Sequence, residues 1–298
     1  MATSENSRQA RIDLKKKRSL ERKFIKDLRP LNNKIVKAAT KAFVERGEIL
    51  NAQLFFDDMD SLLLKNYNRT GESFDTQLSD SFPKSLKATD NETTLIAALL
   101  AAYYFNRSPQ QTRFILGTTQ KNITESIISG LQEASASVLP GELPSRRIAG
   151  MNAGRTLRLK LNGRNRGIAT TEVQNIAEQA KQIEATTLTT RPGIEFKPSK
   201  EWITVGDEIV RRPPGSKFNH VAADGQKVKI DENFIVSGQT LRIPGDTSLG
   251  ASLGNVIHCR CTSTISKKEA LKSRKFIFDS DLQENIETVV PAPEFAFT

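Results

Sequence analysis

The run Ile257-His258-Cys259-Arg260-Cys261-Thr262 lies near the end of a segment, residues 186–265, whose composition differs from that of the preceding chain. This segment is rich in Pro, Gly, Thr, Val and Ile, and its alternating stretches predict strands at 227–230, 233–236 and 255–265. The preceding residues show helical periodicity and no strand-like stretch. We therefore expect an α+β fold, in which a mostly helical N-terminal region precedes a small β-rich module and an extended C-terminal tail.

Apolar residues between positions 20 and 43 recur every three or four residues, with lysines and arginines between them. This spacing is typical of an amphipathic helix, which Pro30 is expected to kink or divide. The apolar residues are Leu20, Phe24, Leu28, Leu31, Ile35, Ala39 and Phe43. Similar patterns predict helices at 8–47, 50–66, 94–106, 108–135, 146–160 and 168–184, with a turn at 162–165. The predicted parts are a helical region with a basic arm (1–165), an α/β module (166–265) and a tail (266–298).

Positive charge is concentrated in two segments of a chain whose formal net charge is +10. Residues 1–50 contain 14 basic and 6 acidic residues, and residues 145–167 contain seven basic residues and no acidic one. Such segments are typical of contact with a nucleic acid or with an acidic partner surface, although the first would also suit a solvated helix face. The residues predicted to make this contact are Lys15, Lys16, Lys17, Arg18, Arg146, Arg147, Arg155 and Arg158.

Both histidines and both cysteines of the chain lie between residues 220 and 261. If residues 255–265 form a strand, Cys259 and Cys261 share one face, and His258 and Arg260 point the other way. The sequence then predicts a zinc site built from His220, Cys259 and Cys261 and closed by Asp224, Asp207 or water. The alternative is a reduced cysteine pair packed in the core.

Two cysteines separated by one residue cannot form a disulfide framework, and their reduced state would fit a reducing compartment. A cysteine nucleophile with His220 as its base would need an orienting group and an oxyanion site, which the sequence does not reveal. No catalytic residue is therefore predicted. Arg260 is expected to pair with Asp207, Glu208 or Asp224, or else to contact a ligand.

Several short motifs occur in a fixed order between residues 202 and 262. They are Trp202, Asp207, Arg211, His220, Asp224-Gly225, Pro244-Gly245-Asp246 and a final run that contains Cys259, Arg260 and Cys261. An upstream stretch, residues 168–173, completes the set. This order resembles the signature of the phage minor head proteins, the head morphogenesis family that includes the F protein of phage Mu. The resemblance covers residues 166–265.

The resemblance implies a structural virion protein, not an enzyme, that joins the head near the portal vertex during assembly in the host cytoplasm. The partners it implies are the portal protein, the major capsid or scaffold protein, and packaged double-stranded DNA. No membrane contact is expected, because the longest apolar run, residues 95–105, is only 11 residues long. The alternatives are a nucleic-acid-binding protein that uses its basic helices and a small metalloenzyme centred on His220.

The end of the chain has a pattern of its own. Phe295 and Phe297 follow Pro291 and Pro293 in the last eight residues. This pattern predicts an extended peptide that docks either on this protein or on a neighbour.

Overall fold

The computed structural model describes residues 4–75, 87–191, 198–205 and 210–266. The helices are α1 (Ser4–Arg46), α2 (Phe56–Gly71), α3 (Asp90–Ser135), α4 (Arg146–Thr189) and α5 (Leu253–Val256). The strands are β1 (Ser199–Ile203), β2 (Lys227–Lys229), β3 (Phe234–Val236), β4 (Gln239–Leu241) and β5 (Thr262–Ile265). The predicted α+β fold with a helical N-terminal region is confirmed.

Helices α1 to α4 share one hydrophobic core. The predicted apolar stripe of α1 is confirmed, because each of its residues is at most 7% exposed. Pro30 does not divide α1, and Pro109 lies inside α3, so the prediction of separate helices at 94–106 and 108–135 is wrong. Each proline removes only one backbone donor, and burial of the neighbouring apolar residues outweighs that loss.

The continuity of α4 corrects another prediction. The turn expected at 162–165 is wrong, because residues 146–189 form one helix. Asn165 is buried and accepts a hydrogen bond from Asn32 Nδ2 (2.8 Å), and Arg164 donates to the carbonyl of Ile115 (2.8 Å). These tertiary contacts hold the Gly163 region helical. The predicted boundary between residues 165 and 166 falls inside α4, which runs from the helical core into contact with the strands.

The β-rich module has two small sheets. One has the strand order β2-β1-β5 with antiparallel pairing, and the other is the β3-β4 hairpin. Trp202, Phe234 and Leu241 are fully buried in the core of the module. Strands β2 and β3 confirm the predictions at 227–230 and 233–236. The strand predicted at 255–265 is wrong in its first half, since residues 253–256 are helical and β5 begins only at Thr262.

No helix within the described ranges is long and apolar enough to cross a membrane. The tail predicted at 266–298 lies outside the described residues from position 267 onward.

Candidate metal centre and polar docking surface

A reversal of the backbone between α5 and β5 brings both cysteines to one side. His258 has a positive φ of 58°, the left-handed conformation that commonly terminates a helix. Its N–H donates to Thr171 Oγ1 of α4 at 3.2 Å, and its ring lies against Gly167, where a Cβ would come within 2.6 Å of Cε1. His258 is therefore separated from the cysteines, as predicted, but a turn rather than strand alternation causes the separation.

His220 presents one particular nitrogen to the two cysteines. Its Nε2 atom lies 2.7 Å from Asn255 Oδ1. The Asn255 amide donates to the Val236 carbonyl (3.2 Å) and to Gln239 Oε1 (3.0 Å), which fixes Oδ1 as the acceptor facing the imidazole. The proton of neutral His220 therefore belongs on Nε2, and the Nδ1 lone pair points at the sulfurs. A side chain that orients a histidine through its second nitrogen is typical of metal sites.

The three ligand atoms have the spacing of a metal site. Nδ1 of His220 lies 3.7 Å from Cys259 Sγ and 3.4 Å from Cys261 Sγ, and all three atoms are within 4.8 Å of one another. Tetrahedral zinc with ordinary Zn–S and Zn–N bonds would separate nitrogen from sulfur by roughly 3.5 Å. The buried cluster can therefore hold a metal ion. The same distances also fit weak thiol hydrogen bonds to the imidazole.

The two thiols have pKa values shifted in opposite directions. A hydrogen bond from Cys261 lowers the pKa of Cys259 well below its ordinary value. Burial acts to raise this pKa, and His220 acts to lower it further. Burial and then the neighbouring Cys259 raise the pKa of Cys261 well above its ordinary value. A lower pKa favours the thiolate, which is the form of cysteine that binds metals.

Aromatic side chains close the site to solvent. His220, Cys259 and Cys261 are each only 1% exposed, and the His220 and Phe234 rings lie 5.9 and 5.3 Å from the Trp202 ring. Trp202 Nε1 is buried without a hydrogen-bond partner, while the indole acts to lower the pKa of Cys261. Within the described residues the cluster supplies three of the four ligands of a tetrahedral site, and the aromatic rings keep it away from solvent.

No family model, curated protein or solved structure matches the chain.

Asp224 does not join the metal cluster, which corrects its prediction as a ligand. It is exposed, and its Oδ1 accepts hydrogen bonds from the N–H and hydroxyl of Thr204 at 2.8 and 3.0 Å. Asp207, the other predicted carboxylate, lies outside the described residues. Asp224 therefore acts in the turn that follows β1.

The remaining motif residues hold the backbone around the cluster. Arg211 donates to the carbonyls of Asn255 and Ile257. Gly225 has a φ of 80° and donates its N–H to the Trp202 carbonyl at 2.8 Å. Sequence reasoning did not predict the roles of Asn255 and Arg211, although an asparagine two residues before the Ile-His-Cys run was a visible signal.

The Pro244-Gly245-Asp246 turn docks on α4. Asn175 Nδ2 donates to the Gly245 carbonyl at 3.1 Å, and Asp246 Oδ1 accepts the N–H of Ser248 at 2.9 Å. The turn therefore belongs to the contact between the module and the helices.

The four basic residues at 15–18 have different environments. Lys15 and Arg18 are exposed, and Lys16 is half-buried, with its ammonium group bonded to the Ser73 carbonyl. Lys17 is only 2% exposed, so its prediction as a contact with DNA or a portal is wrong. The helical period of α1 turns this one lysine toward α4.

Lys17 belongs to a buried polar network between the helices and the module. Its ammonium group lies 2.5 Å from Glu178 Oε1, and Lys181 Nζ lies 2.8 Å from the same oxygen. Lys181 also pairs with Asp13 at 3.1 Å. The other Glu178 oxygen accepts the N–H of Ser263 at 2.9 Å. Sequence reasoning missed this network, because polar residues on a helix normally indicate its solvent face.

The predicted basic residues of α4 lie at the surface. Arg146, Arg147, Arg155 and Arg158 are all exposed. Arg260, at the end of the motif, is half-buried. Burial raises the pKa of Glu21, while Thr170, Lys17 and Arg260 act to lower it. Its predicted partners Asp207 and Glu208 lie outside the described residues.

Proposed function

We propose that the chain is a structural minor head protein of a tailed phage, which joins the head at the portal vertex. The observation that carries the proposal is that the motif residues within the described ranges come together in one small module. Trp202, His220 and the two cysteines fill its core, and Arg211 holds the loop that carries them. Residues used for packing and docking suit a protein that acts by contact with partners.

The exposed basic residues support contacts with acidic partners. Lys15 and Arg18 on α1 and the arginines at the start of α4 face solvent. The portal protein, the major capsid or scaffold protein, and packaged double-stranded DNA would each supply the complementary negative charge. The proposed location is the virion head, with the host cytoplasm as the site of assembly.

The test of this role uses the phage genome that encodes the chain. Deletion of residues 198–266 should remove the protein from purified heads, measured by quantitative mass spectrometry, and should lower the infectious titre. Arg147→Glu/Arg155→Glu should reduce incorporation while the protein remains folded. Arg113→Glu/Lys121→Glu is the matched control, since both residues are exposed and basic on α3, outside the two basic segments. Heads that assemble and infect normally after the deletion would exclude the role.

DNA binding by itself is the second candidate function. It is favoured by the seven basic residues without an acidic one at 145–167. Retention of duplex DNA should be independent of sequence and should weaken with salt. Four phosphate contacts would give a slope of roughly −3.6 in log K against log salt. Absence of retention at low salt would remove this candidate and the DNA contact in the head.

We further propose that His220, Cys259 and Cys261 bind a metal ion and that this ion is zinc, because a mixed nitrogen and thiolate set suits zinc. The fourth position would be filled by Asp207 or by water. In the structure, the buried Trp202 donor beside Cys261 fits a thiolate that carries charge. The zinc would act by fixing the loop, with no part in catalysis.

Metal analysis of the purified chain tests this assignment. We expect about one zinc per chain, lost in Cys259→Ser/Cys261→Ser and in His220→Gln. His258→Gln is the matched control and should keep its zinc, because this ring faces Gly167. A metal-free protein that cannot be loaded with zinc would show that the cysteines are core residues.

A further inference from the structure

A cavity of about 150 Å³ lies between the start of α1 and the β-rich module. One wall is formed by α1, and the other by residues at the end of β1 and the start of β5. The cavity is lined by three basic side chains and three hydroxyl groups. The basic side chains are Arg11, Lys17 and Arg260, and the hydroxyl groups belong to Ser7, Thr204 and Thr262. Within the described residues no carboxylate lines it.

The motif arginine, Arg260, reaches this cavity from the loop of the candidate metal centre. Cys259 and Cys261 on either side of it are buried in the core of the module. Arg260 instead lines the cavity together with α1, and it also acts on Glu21, one turn beyond Lys17. The structure therefore places this arginine where it can contact a ligand between the helix and the module.

The charges around the cavity are unequally balanced. Lys17 pairs with Glu178 at 2.5 Å, and Glu21 partly offsets the charge of Arg260. Arg11 is exposed. In the described part of the chain neither its guanidinium group nor the Ser7 hydroxyl has a hydrogen-bond or ion-pair partner. One charged donor and one neutral donor are thus available to an anion.

Basic side chains continue from the cavity toward the surface. A second cavity shares Ser7 and Arg11 with the first and is also lined by Arg8 and Lys15, both of which are exposed. A group of like charges around an opening raises the local concentration of ions of the opposite sign. The entrance therefore favours anions.

The size and the donors of the first cavity fit a phosphate group. A water molecule occupies about 30 Å³ in the liquid, so the cavity is large enough for the five non-hydrogen atoms of phosphate. Guanidinium groups bind phosphate oxygens through paired hydrogen bonds, and a hydroxyl group supplies a further donor. A metal cation would be repelled by the basic side chains.

We propose that this cavity binds a phosphate group, with Arg11 and Arg260 as the charged donors and Ser7 as the hydroxyl donor. Inorganic phosphate and a phosphate of DNA present the same chemistry. A bound phosphate would connect α1 to the module, because Arg11 belongs to the helix and Arg260 to the loop between the cysteines. Neither the head-protein role nor zinc is required for this binding.

Thermal melting and isothermal titration calorimetry of the full-length chain measure the binding of inorganic phosphate against sodium chloride of equal ionic strength. With phosphate at about 100 times its Kd, the melting temperature should rise by roughly 4 °C. Arg11→Gln should weaken binding at least about tenfold, because a charged donor is lost. Ser7→Glu should abolish it by placing a carboxylate in the cavity. Arg29→Gln is the matched control, exposed on α1 and away from the cavity, and should bind like wild type.

Competition with DNA separates the two sources of phosphate. A duplex that carries 5′-phosphates and the same duplex with 5′-hydroxyl ends are each added to the phosphate-bound protein. Displacement by the phosphorylated duplex alone would assign the cavity to a DNA end, and displacement by both would assign it to the DNA backbone. Displacement by neither would assign it to free phosphate.

Two outcomes would overturn the proposal. One is a wild-type protein on which phosphate has no effect beyond that of chloride. The other is unchanged phosphate binding in Arg11→Gln and Ser7→Glu proteins that circular dichroism shows to be folded. A protein that binds phosphate but is not incorporated into heads would refute only the head-protein role.

Discussion

The substitution Glu178→Gln removes the charge at the centre of the network between α4 and β5. Glu178 is fully buried and contacts Lys17, Lys181 and Ser263. Glutamine has nearly the same shape, so the packing stays while buried Lys17 loses its ion-pair partner and Lys181 keeps only Asp13. Breaking a buried pair in this way typically costs about 3–5 kcal/mol.

The pKa of Glu178 gives a separate measure of the same effect. Burial opposes its ionisation, but Lys17 and Lys181 prevail and lower the pKa to about 2. In the unfolded chain a glutamate titrates near about 4.3. The difference corresponds to roughly 3 kcal/mol of stability, fully present above about pH 4.3 and lost as the pH falls through the folded-state pKa. Both routes give similar magnitudes.

Lys17→Met should cost much less than Glu178→Gln. Burial lowers the pKa of Lys17 despite the attraction of Glu178, so the folded protein gains little from this charge. Methionine keeps the apolar stem, and Glu178 retains Lys181 at 2.8 Å. We expect a smaller loss than for Glu178→Gln, because Lys181 still pairs with both Glu178 and Asp13, so no buried charge is left unpaired.

Urea unfolding followed by two signals measures these losses. Trp202 is the only tryptophan and reports on the module by fluorescence, while far-ultraviolet circular dichroism reports on the helices. At pH 7 the Glu178→Gln protein should lose about 3 kcal/mol, and its deficit should shrink between pH 4 and pH 2. A loss below about 1 kcal/mol, or one no larger than that of Lys17→Met, would refute the reasoning.

Three further substitutions test the helices. Gly130→Ala should cost about 1–3 kcal/mol, because its Cβ would lie 2.3 Å from the Ala149 carbonyl oxygen. Gly117→Ala, with nothing within 4 Å of the added carbon, should instead stabilise by about 0.5–1 kcal/mol. Thr89→Ala removes the hydroxyl that accepts the Glu92 N–H and should cost about 1 kcal/mol. Thermal melts check all three, and equal shifts for the two glycine variants would contradict the packing explanation.

The helical region could be predicted from sequence because its apolar residues follow the helical period over long distances. The stripe from Leu20 to Phe43 is an example, and all of it is buried. The predicted breaks at Pro109 and around Gly163 failed for one physical reason. Local propensities of about 1–3 kcal/mol per residue are outweighed by tertiary contacts, such as the Asn32–Asn165 hydrogen bond that holds α4 continuous.

The candidate metal ligands His220, Cys259 and Cys261 could also be predicted, because their residue types are rare in this chain. The geometry that joins them could not. It depends on the left-handed His258, a conformation that non-glycine residues seldom adopt, and on Asn255, which orients the imidazole from another element. The polar face of α4 was equally hidden, since its burial follows from the docking of β5 and not from hydrophobic periodicity.

The loop of the candidate metal centre is also the loop that docks on α4. Gln174 Nε2 donates to the Cys261 carbonyl at 2.5 Å, and the next residue, Thr262, bonds to Glu178 at 2.7 Å. His258 and Thr171 form the other end of the same contact. Directional bonds of this kind need a backbone fixed to a few tenths of an ångström. A metal clasp between Cys259 and Cys261 would supply that precision, because short strands and a four-residue helix do not constrain a loop by themselves. The candidate metal centre and the polar network therefore lie on one loop, and a bound metal would shape the surface that the helices bind.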